Sequence, residues 1–254
     1  MTGLRRRLHD GEQLIGTWIK TPSPIVVEVL AGTGLDVLCL DAEHAPFGRL
    51  ELDACLGAAH ARGMDTLVRL PTAAPHHLLQ ALDGGATGVV VPHVGDGDEA
   101  AIVARAARYG PEGRGFTAST RAGGHGAVPF AEHRVAADDA TVVIAQIEDP
   151  GAVAAAAAIA GTDGIDAVFV GPVDLAGAIG ADGPTADAVT EAVAAVVEAA
   201  RSVGCPVGIH AATAEQRRTY AAMGVSLFLM QSDQVFLRAG AAALVDRSLR
   251  GDAD

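Results

Sequence analysis

Thr141-Val142-Val143-Ile144-Ala145-Gln146-Ile147-Glu148-Asp149-Pro150 is an apolar run that ends in an amide and two acids. Pleat alternation puts Gln146 and Glu148 on one face of the strand and Ile147 on the other. The run is too apolar to face solvent, so an amide and a carboxylate look the same way from the tip of a buried strand. A second run, Ala167-Val168-Phe169-Val170, ends in Gly171-Pro172-Val173-Asp174 and supplies another acid at another strand tip. Two acids at adjacent tips suggest an oxygen-ligand site for a hard divalent cation.

Outward from this stretch, short β-rich runs alternate with amphipathic, alanine-rich ones. Eight runs read as strands: 15–19, 37–40, 66–70, 88–91, 142–147, 167–170, 206–209 and 226–230. Helical candidates lie between them at 25–31, 50–62, 75–82, 99–108, 153–159, 187–203 and 214–223, and 234–249 follows the eighth. Eight strands, each followed by a helix, is the count of a closed (β/α)8 TIM barrel, an α/β fold in a single domain spanning 1–254. Gly63, Gly84-Gly85, Gly161 and Gly204 stand where glycine ends a helix before the next strand. A doubly wound open sheet is the competing arrangement, and no Gly-x-Gly-x-x-Gly follows the first strand to support it. The rhythm breaks over 109–139, which is glycine-rich with little periodicity and reads as a long loop near the mouth or at a subunit contact.

Composition narrows the function classes. The chain has 254 residues, half of them hydrophobic, with a net charge of −13, which argues against nucleic acid or an anionic membrane as partner. Arg5-Arg6-Arg7 is a local exception and reads as a solvated helix face. Cys39, Cys55 and Cys205 are odd in number, far apart and set in apolar surroundings, as expected of reduced, buried thiols in a cytoplasmic protein. The first twenty residues hold no long apolar segment of the secretory kind, and no run is long enough to span a bilayer.

Barrel chemistry sits at the C-terminal ends of the strands. Those ends offer Trp18 and Lys20, then Asp41, Glu43 and His44, then Arg69, then His93. Gln146 and Glu148, Gly171 and Asp174, His210, and Gln231 with Asp233 complete the rim. Arg69 lies on an apolar strand, where a buried guanidinium needs an anionic partner such as a substrate carboxylate or oxyanion. His93 and His210 read as satisfied rim histidines. Lys20 is the only lysine in the chain, so a Schiff-base aldolase would have to use it. Its Thr-Pro-Ser-Pro loop is a poor place for a desolvated amine, which favours a metal route to an enolate.

Gly16-Thr17-Trp18, Asp41-Ala42-Glu43-His44-Ala45-Pro46, Arg69, Gly88 to Pro92, Gln146-Ile147-Glu148 and Gly171-Pro172-Val173-Asp174-Leu175 follow one another in an order and spacing that resembles the HpcH/HpaI family, the metal-dependent class II pyruvate aldolases. The resemblance runs over 4–247. It implies reversible cleavage of a 4-hydroxy-2-oxo acid to pyruvate and an aldehyde. It also implies Mg2+, Mn2+ or Co2+ held by Glu148 and Asp174. Trp18, Gln146, Gly171, Pro172 and Val173 would contact the 2-oxo acid, Arg69 would stabilise the enolate, and His44 would act as base, oriented by Asp41. Asp83 matches an acid that supports the base from another subunit, and the last helix would pack on a neighbour in a homohexamer. Val173 departs from the serine or alanine of many relatives and narrows the pocket. An acyl-CoA lyase of the citrate lyase β type is the rival reading; it should show a basic, aromatic groove for CoA, and the sequence offers none.

Overall fold

Parallel pairing in chain order joins β1 (Leu14–Ile19), β2 (Val37–Asp41), β3 (Asp65–Arg69), β4 (Gly88–Val91), β5 (Val142–Ile147), β6 (Ala167–Val170), β7 (Val207–Ala211) and β8 (Leu227–Ser232), and β8 closes on β1. This is the expected closed barrel with helices between the strands. The structure is a computed structural model that describes residues 3–250.

Period-two alternation sorts each strand between two apolar layers. Leu38 and Leu40 of β2, and Val143, Ala145 and Ile147 of β5, point outward against the surrounding helices. Val37 and Cys39, Leu67, Val90, Val142 and Ile144, Ala167 and Phe169, and Leu227 and Leu229 fill the interior. One more inward step along each strand reaches Asp41, Arg69, Gln146 and Gly171, so the pattern that builds the core also delivers the polar rim. Gly88 is an inward position where β4 and β5 approach closely: a Cβ there would stand 2.3 Å from the Val142 carbonyl oxygen.

Besides the added helix Pro172–Ile179, three segments depart from the sequence expectation. The arginine run is not a solvated face. It lies on a helix, Gly3–His9, whose fully buried Leu4 and Leu8 join the interior cluster beneath the barrel. Arg5 pairs with buried Asp166 at 2.6 Å and Arg7 with Glu12 and Asp36 at 2.7 Å, leaving Arg6 outermost. The 109–139 segment is not all loop. It contains a short 3-10 turn and the helix Phe130–Ala140, and Arg114 is buried over the Tyr109 ring at 3.9 Å. The helix expected at 153–159 is two short ones, Pro150–Ala154 and Ala156–Ala160, the first capped by Asp149 accepting from the Ala152 N–H.

The last helix, Asp233–Arg250, meets the barrel at β1 and β8 and leaves Leu237, Leu244 and Val245 exposed. All three cysteines are free thiols, and burial pushes Cys55 up to about 11 and Cys205 to about 12, so neither is a thiolate at neutral pH. Among the described residues no helix is long and apolar enough to cross a membrane.

Candidate active site

A pocket of about 410 Å3 opens at the C-terminal rim, lined by Trp18, His44, Arg69, Gln146, Gly171, Pro172, Val173 and Asp174 among others. Its floor is an ion pair. Arg69 donates to both oxygens of the fully buried Asp41, Nε to Oδ1 at 3.0 Å and Nη2 to Oδ2 at 2.8 Å. Burial alone would raise the Asp41 carboxyl, but the hydrogen bonds and charge of Arg69 outweigh it and hold the group below the usual carboxylate range. The Arg69 guanidinium also lies 4.3 Å over the Trp18 ring, which itself meets Phe169 edge-on. The chain itself thus supplies anions for Arg69, Asp41 in full and Glu43 Oε2 at 3.3 Å from Nε.

Asp41 also meets His44, through the backbone: it accepts from the His44 N–H at 3.1 Å and so fixes the loop after β2. The His44 ring lies half exposed in the pocket wall, with Nε2 3.7 Å from Glu43 Oε2. Burial raises the Glu43 carboxyl above the ordinary range; Arg69, His44 and His93 pull against that and Glu148 adds to it.

Glu148, almost wholly buried, has two differently occupied oxygens. Oε1 accepts from the backbone N–H of His93 at 2.8 Å and lies 2.7 Å from its Nδ1. Oε2 accepts from the Gln146 side-chain amide. His93 is held with φ +56, a left-handed conformation uncommon outside glycine, and Glu148 gripping its N–H helps fix it there. On the other side, Gly171 leaves open a space that other side chains would fill. A Cβ on Gly171 would stand 3.3 Å from Asp174 Oδ2, 3.4 Å from Glu148 Oε2 and 3.5 Å from Gln146 Nε2. The two acids expected to share a cation thus converge on one point. Pro172, Val173 and Asp174 form the first turn of the helix Pro172–Ile179, whose N-terminus borders the pocket and suits an anionic group.

A divalent ion fits this donor set. Asp41 and Glu43 pair with the permanent cations Arg69 and Lys20, while Glu148 and Asp174 stand beside Gly171 with no Lys or Arg ion pair among the described residues. Gln146 Oε1 and Glu43 Oε2 are buried acceptors without hydrogen-bond partners. Ligand atoms of Glu43, His93 and Glu148 also lie within 4.8 Å of one another, so donors flank Glu148 on both sides.

Asp83 stands apart from these residues. It ends the helix Pro75–Asp83 and lines a different pocket, 3.6 Å from buried Arg114, with burial raising its carboxyl. Its own chain does not bring it to His44. Glu43 carries no role in the sequence reading, and His93, read there as a satisfied rim histidine, stands between Glu43 and Glu148. Asp41 and Glu43 stand two apart, and that pleat spacing is the signal that both acids face one way. His93 offers no such signal, because its position depends on a backbone conformation that sequence alone does not announce.

The HpcH/HpaI aldolase/citrate lyase family model matches residues 14–232. The chain belongs to that family. Membership of the HpcH/HpaI aldolase/citrate lyase family agrees with the resemblance carried by the rim motifs. A 5-keto-4-deoxy-D-glucarate aldolase of Salmonella arizonae is 36% identical over 234 residues, 91% of each chain. Among solved structures, an HpcH/HpaI aldolase from Desulfitobacterium hafniense superposes with a TM-score of 0.90 at 29% identity, covering 100% of both chains. A family protein from Burkholderia cenocepacia gives 0.89 at 34%, covering 96% of this chain and 98% of its own. The citrate lyase β subunit of M. tuberculosis, at 18% identity and a TM-score of 0.61 over 90% of this chain and 95% of that one, shares the fold.

Proposed function

We propose that the chain is a divalent-metal-dependent aldolase, a carbon–carbon lyase that reversibly cleaves a 4-hydroxy-2-oxo acid to pyruvate and an aldehyde. Family membership and a relative named as an aldolase at 36% identity support the reaction class. The observation that carries the reading is the convergence of Glu148 Oε2, Asp174 Oδ2 and the Gln146 amide on the space beside Gly171, within a pocket that also holds Arg69 and His44. The citrate lyase β reading is less favoured, since that likeness is one of fold.

Glu148 and Asp174 would hold the cation, Mg2+, Mn2+ or Co2+, with Gln146 beside them. When bound, the cation supplies Lewis-acid polarisation of the substrate's keto oxygen. The protein's own groups account for the other parts of the chemistry. Arg69, locked by Asp41 and Trp18, is a fixed positive charge for the oxyanion that develops as the C3–C4 bond breaks. His44 would remove the proton of the C4 hydroxyl, the C3–C4 pair would become the C2–C3 double bond as the keto π pair passes to oxygen, and the aldehyde would be released. The same imidazole returns a proton to C3 of the enolate to give pyruvate. The N-terminus of the helix Pro172–Ile179 receives the carboxylate. Glu43 is the nearest carboxyl to the His44 ring and shares its proton load.

Two measurements test this assignment. Wild type should exchange the methyl hydrogens of pyruvate with deuterium in the presence of Mn2+ and lose the activity in EDTA. Glu148→Gln and Asp174→Asn should each weaken Mn2+ binding, read calorimetrically, by at least about tenfold. Full-strength Mn2+ binding in both variants would remove them as ligands. Unchanged exchange in His44→Ala would remove His44 as the base.

The last helix, with its exposed leucines and few attachments to its own barrel, is placed to pack on a second copy of the chain. We assign it that role in a homo-oligomer, a hexamer, with Asp83 approaching a neighbour's His44. Free, buried thiols suit a cytoplasmic location for this single-domain enzyme.

A further inference from the structure

One residue touches Glu148 twice, and both times at the same oxygen. The backbone N–H of His93 donates to Oε1 at 2.8 Å, and the His93 ring brings Nδ1 to 2.7 Å from it. The other oxygen, Oε2, accepts from the Gln146 amide. A carboxylate oxygen has two lone pairs, so Oε2 can serve Gln146 and still serve a second partner. That second partner would lie beside Gly171, where a Cβ would meet Oε2 at 3.4 Å and Asp174 Oδ2 at 3.3 Å. Oε1, covered by two nitrogens of one residue, is spoken for. Glu148 thus turns one oxygen, not two, toward the space it shares with Asp174.

The path of the chain makes this grip. Pro92 follows the last residue of β4, and His93 then turns with φ +56, which brings its N–H and its imidazole to the same carboxyl. A left-handed residue other than glycine persists only where its surroundings hold it. The far side of the ring is held as well, with Nε2 3.4 Å from Glu43 Oε1. Glu43 in turn stands 3.3 Å from Arg69, whose guanidinium is locked by Asp41. Yet the His93 side chain is 69% exposed, so the core does not depend on its bulk. Packing gives no reason for an exposed ring on a strained backbone; its hold on a buried acid does.

We propose that His93 is a positioning residue that confines Glu148 to one-oxygen coordination, so that the site selects small octahedral dications, Mg2+ and Mn2+, over Ca2+. The inference rests on the metal-dependent reading above. Ca2+ takes about six to eight oxygens in flexible arrangements, often two of them from one carboxylate. Mg2+ demands a near-ideal octahedron, which the narrow bite of a two-oxygen carboxylate distorts. Holding back one oxygen therefore costs Ca2+ a ligand and costs the smaller ions nothing. Groups that fix a ligand from behind change metal affinity by about 10- to 100-fold.

The test is calorimetric titration of Mn2+ and of Ca2+ into the EDTA-treated protein. Wild type should bind Mn2+ the more tightly. His93→Gly removes the ring and accepts the left-handed backbone; it should weaken Mn2+ but not Ca2+, lowering the ratio of the two affinities by about tenfold or more. His93→Asn should recover part of the ratio, since asparagine tolerates the same conformation and its side-chain amide can donate to Oε1. A wild type without preference, an unchanged ratio, or an equal loss for both ions overturns the proposal, the last because it would show His93 supporting the rim in general. Two Mn2+ per chain in wild type, one of them lost in His93→Gly, would make the imidazole itself a ligand with Glu43 and Glu148 and would equally overturn it. A second readout is infrared. The gap between the antisymmetric and symmetric carboxylate stretches is wide when one oxygen binds and narrow when both do. Ca2+ should narrow the Glu148 gap in His93→Gly and not in wild type, with Glu148→Gln identifying the bands; the same gap in both proteins counts against the idea. A wild type that binds no divalent ion would sink the metal reading, whereas binding without this selectivity would sink only the role of His93.

Discussion

A carboxylate whose two oxygens are both taken by one guanidinium keeps its charge even in a dry interior, and Asp41 is in that position beneath the pocket. Its folded-state value lies below the ordinary carboxylate range of about 3.9. The pair thus contributes stability that is fully present above that range and is lost as the pH falls through the lowered folded value. Thermal melts from pH 6 to pH 2 should show this as a steep acid limb in wild type. Asp41→Asn should flatten the limb and cost about 3 to 5 kcal/mol at neutral pH, because it strands Arg69 in the core. A variant that melts like wild type at neutral pH would show the pair to be dispensable. At this scale the sequence was partly legible. Alternation places Asp41, Arg69, Gln146 and Glu148 inward, since it depends only on backbone geometry. It does not say which acid answers which base, since neighbouring strands settle that through register, as in the pairing of Asp41 with Arg69 across β2 and β3.

Among the elements, the helix Gly3–His9 shows why three consecutive arginines mislead. Their spacing suggests a wetted face, but Arg5 and Arg7 turn back to Asp166 and Asp36 while Leu4 and Leu8 go beneath the barrel. Leu8→Ala should cost about 2 to 5 kcal/mol in chemical denaturation, the range for a fully buried leucine. A loss under about 1 kcal/mol would mean that the helix is only loosely attached. The helix Phe130–Ala140 was hidden for a different reason. Its one fully buried side chain is His133, which faces the Tyr109 hydroxyl at 3.1 Å, so it has no apolar stripe to betray it. Strands β4, β5 and β6, by contrast, begin and end where the apolar runs do, since they are buried on both faces.

For the molecule as a whole, closure of the barrel follows from the count of strands, whereas its assembly depends on surfaces that a single chain leaves open. In the proposed assembly, exposed Leu237, Leu244 and Val245 on the last helix would make that element the seam between copies. Leu244→Glu should lower the mass seen in sedimentation velocity, and it should slow turnover if a neighbour's Asp83 completes the site. An unchanged mass would place the seam elsewhere.

The plug formed by Leu4 and Leu8 at the bottom of the barrel has a kinetic corollary. With the interior packed above that plug, the rim pocket is the one doorway that substrate and both products share, and the traffic becomes a queue. Under the proposed binding, with the keto acid at Glu148 and Asp174 and the aldehyde half outward, the aldehyde should leave first, and product-inhibition kinetics should then show pyruvate competitive and the aldehyde noncompetitive.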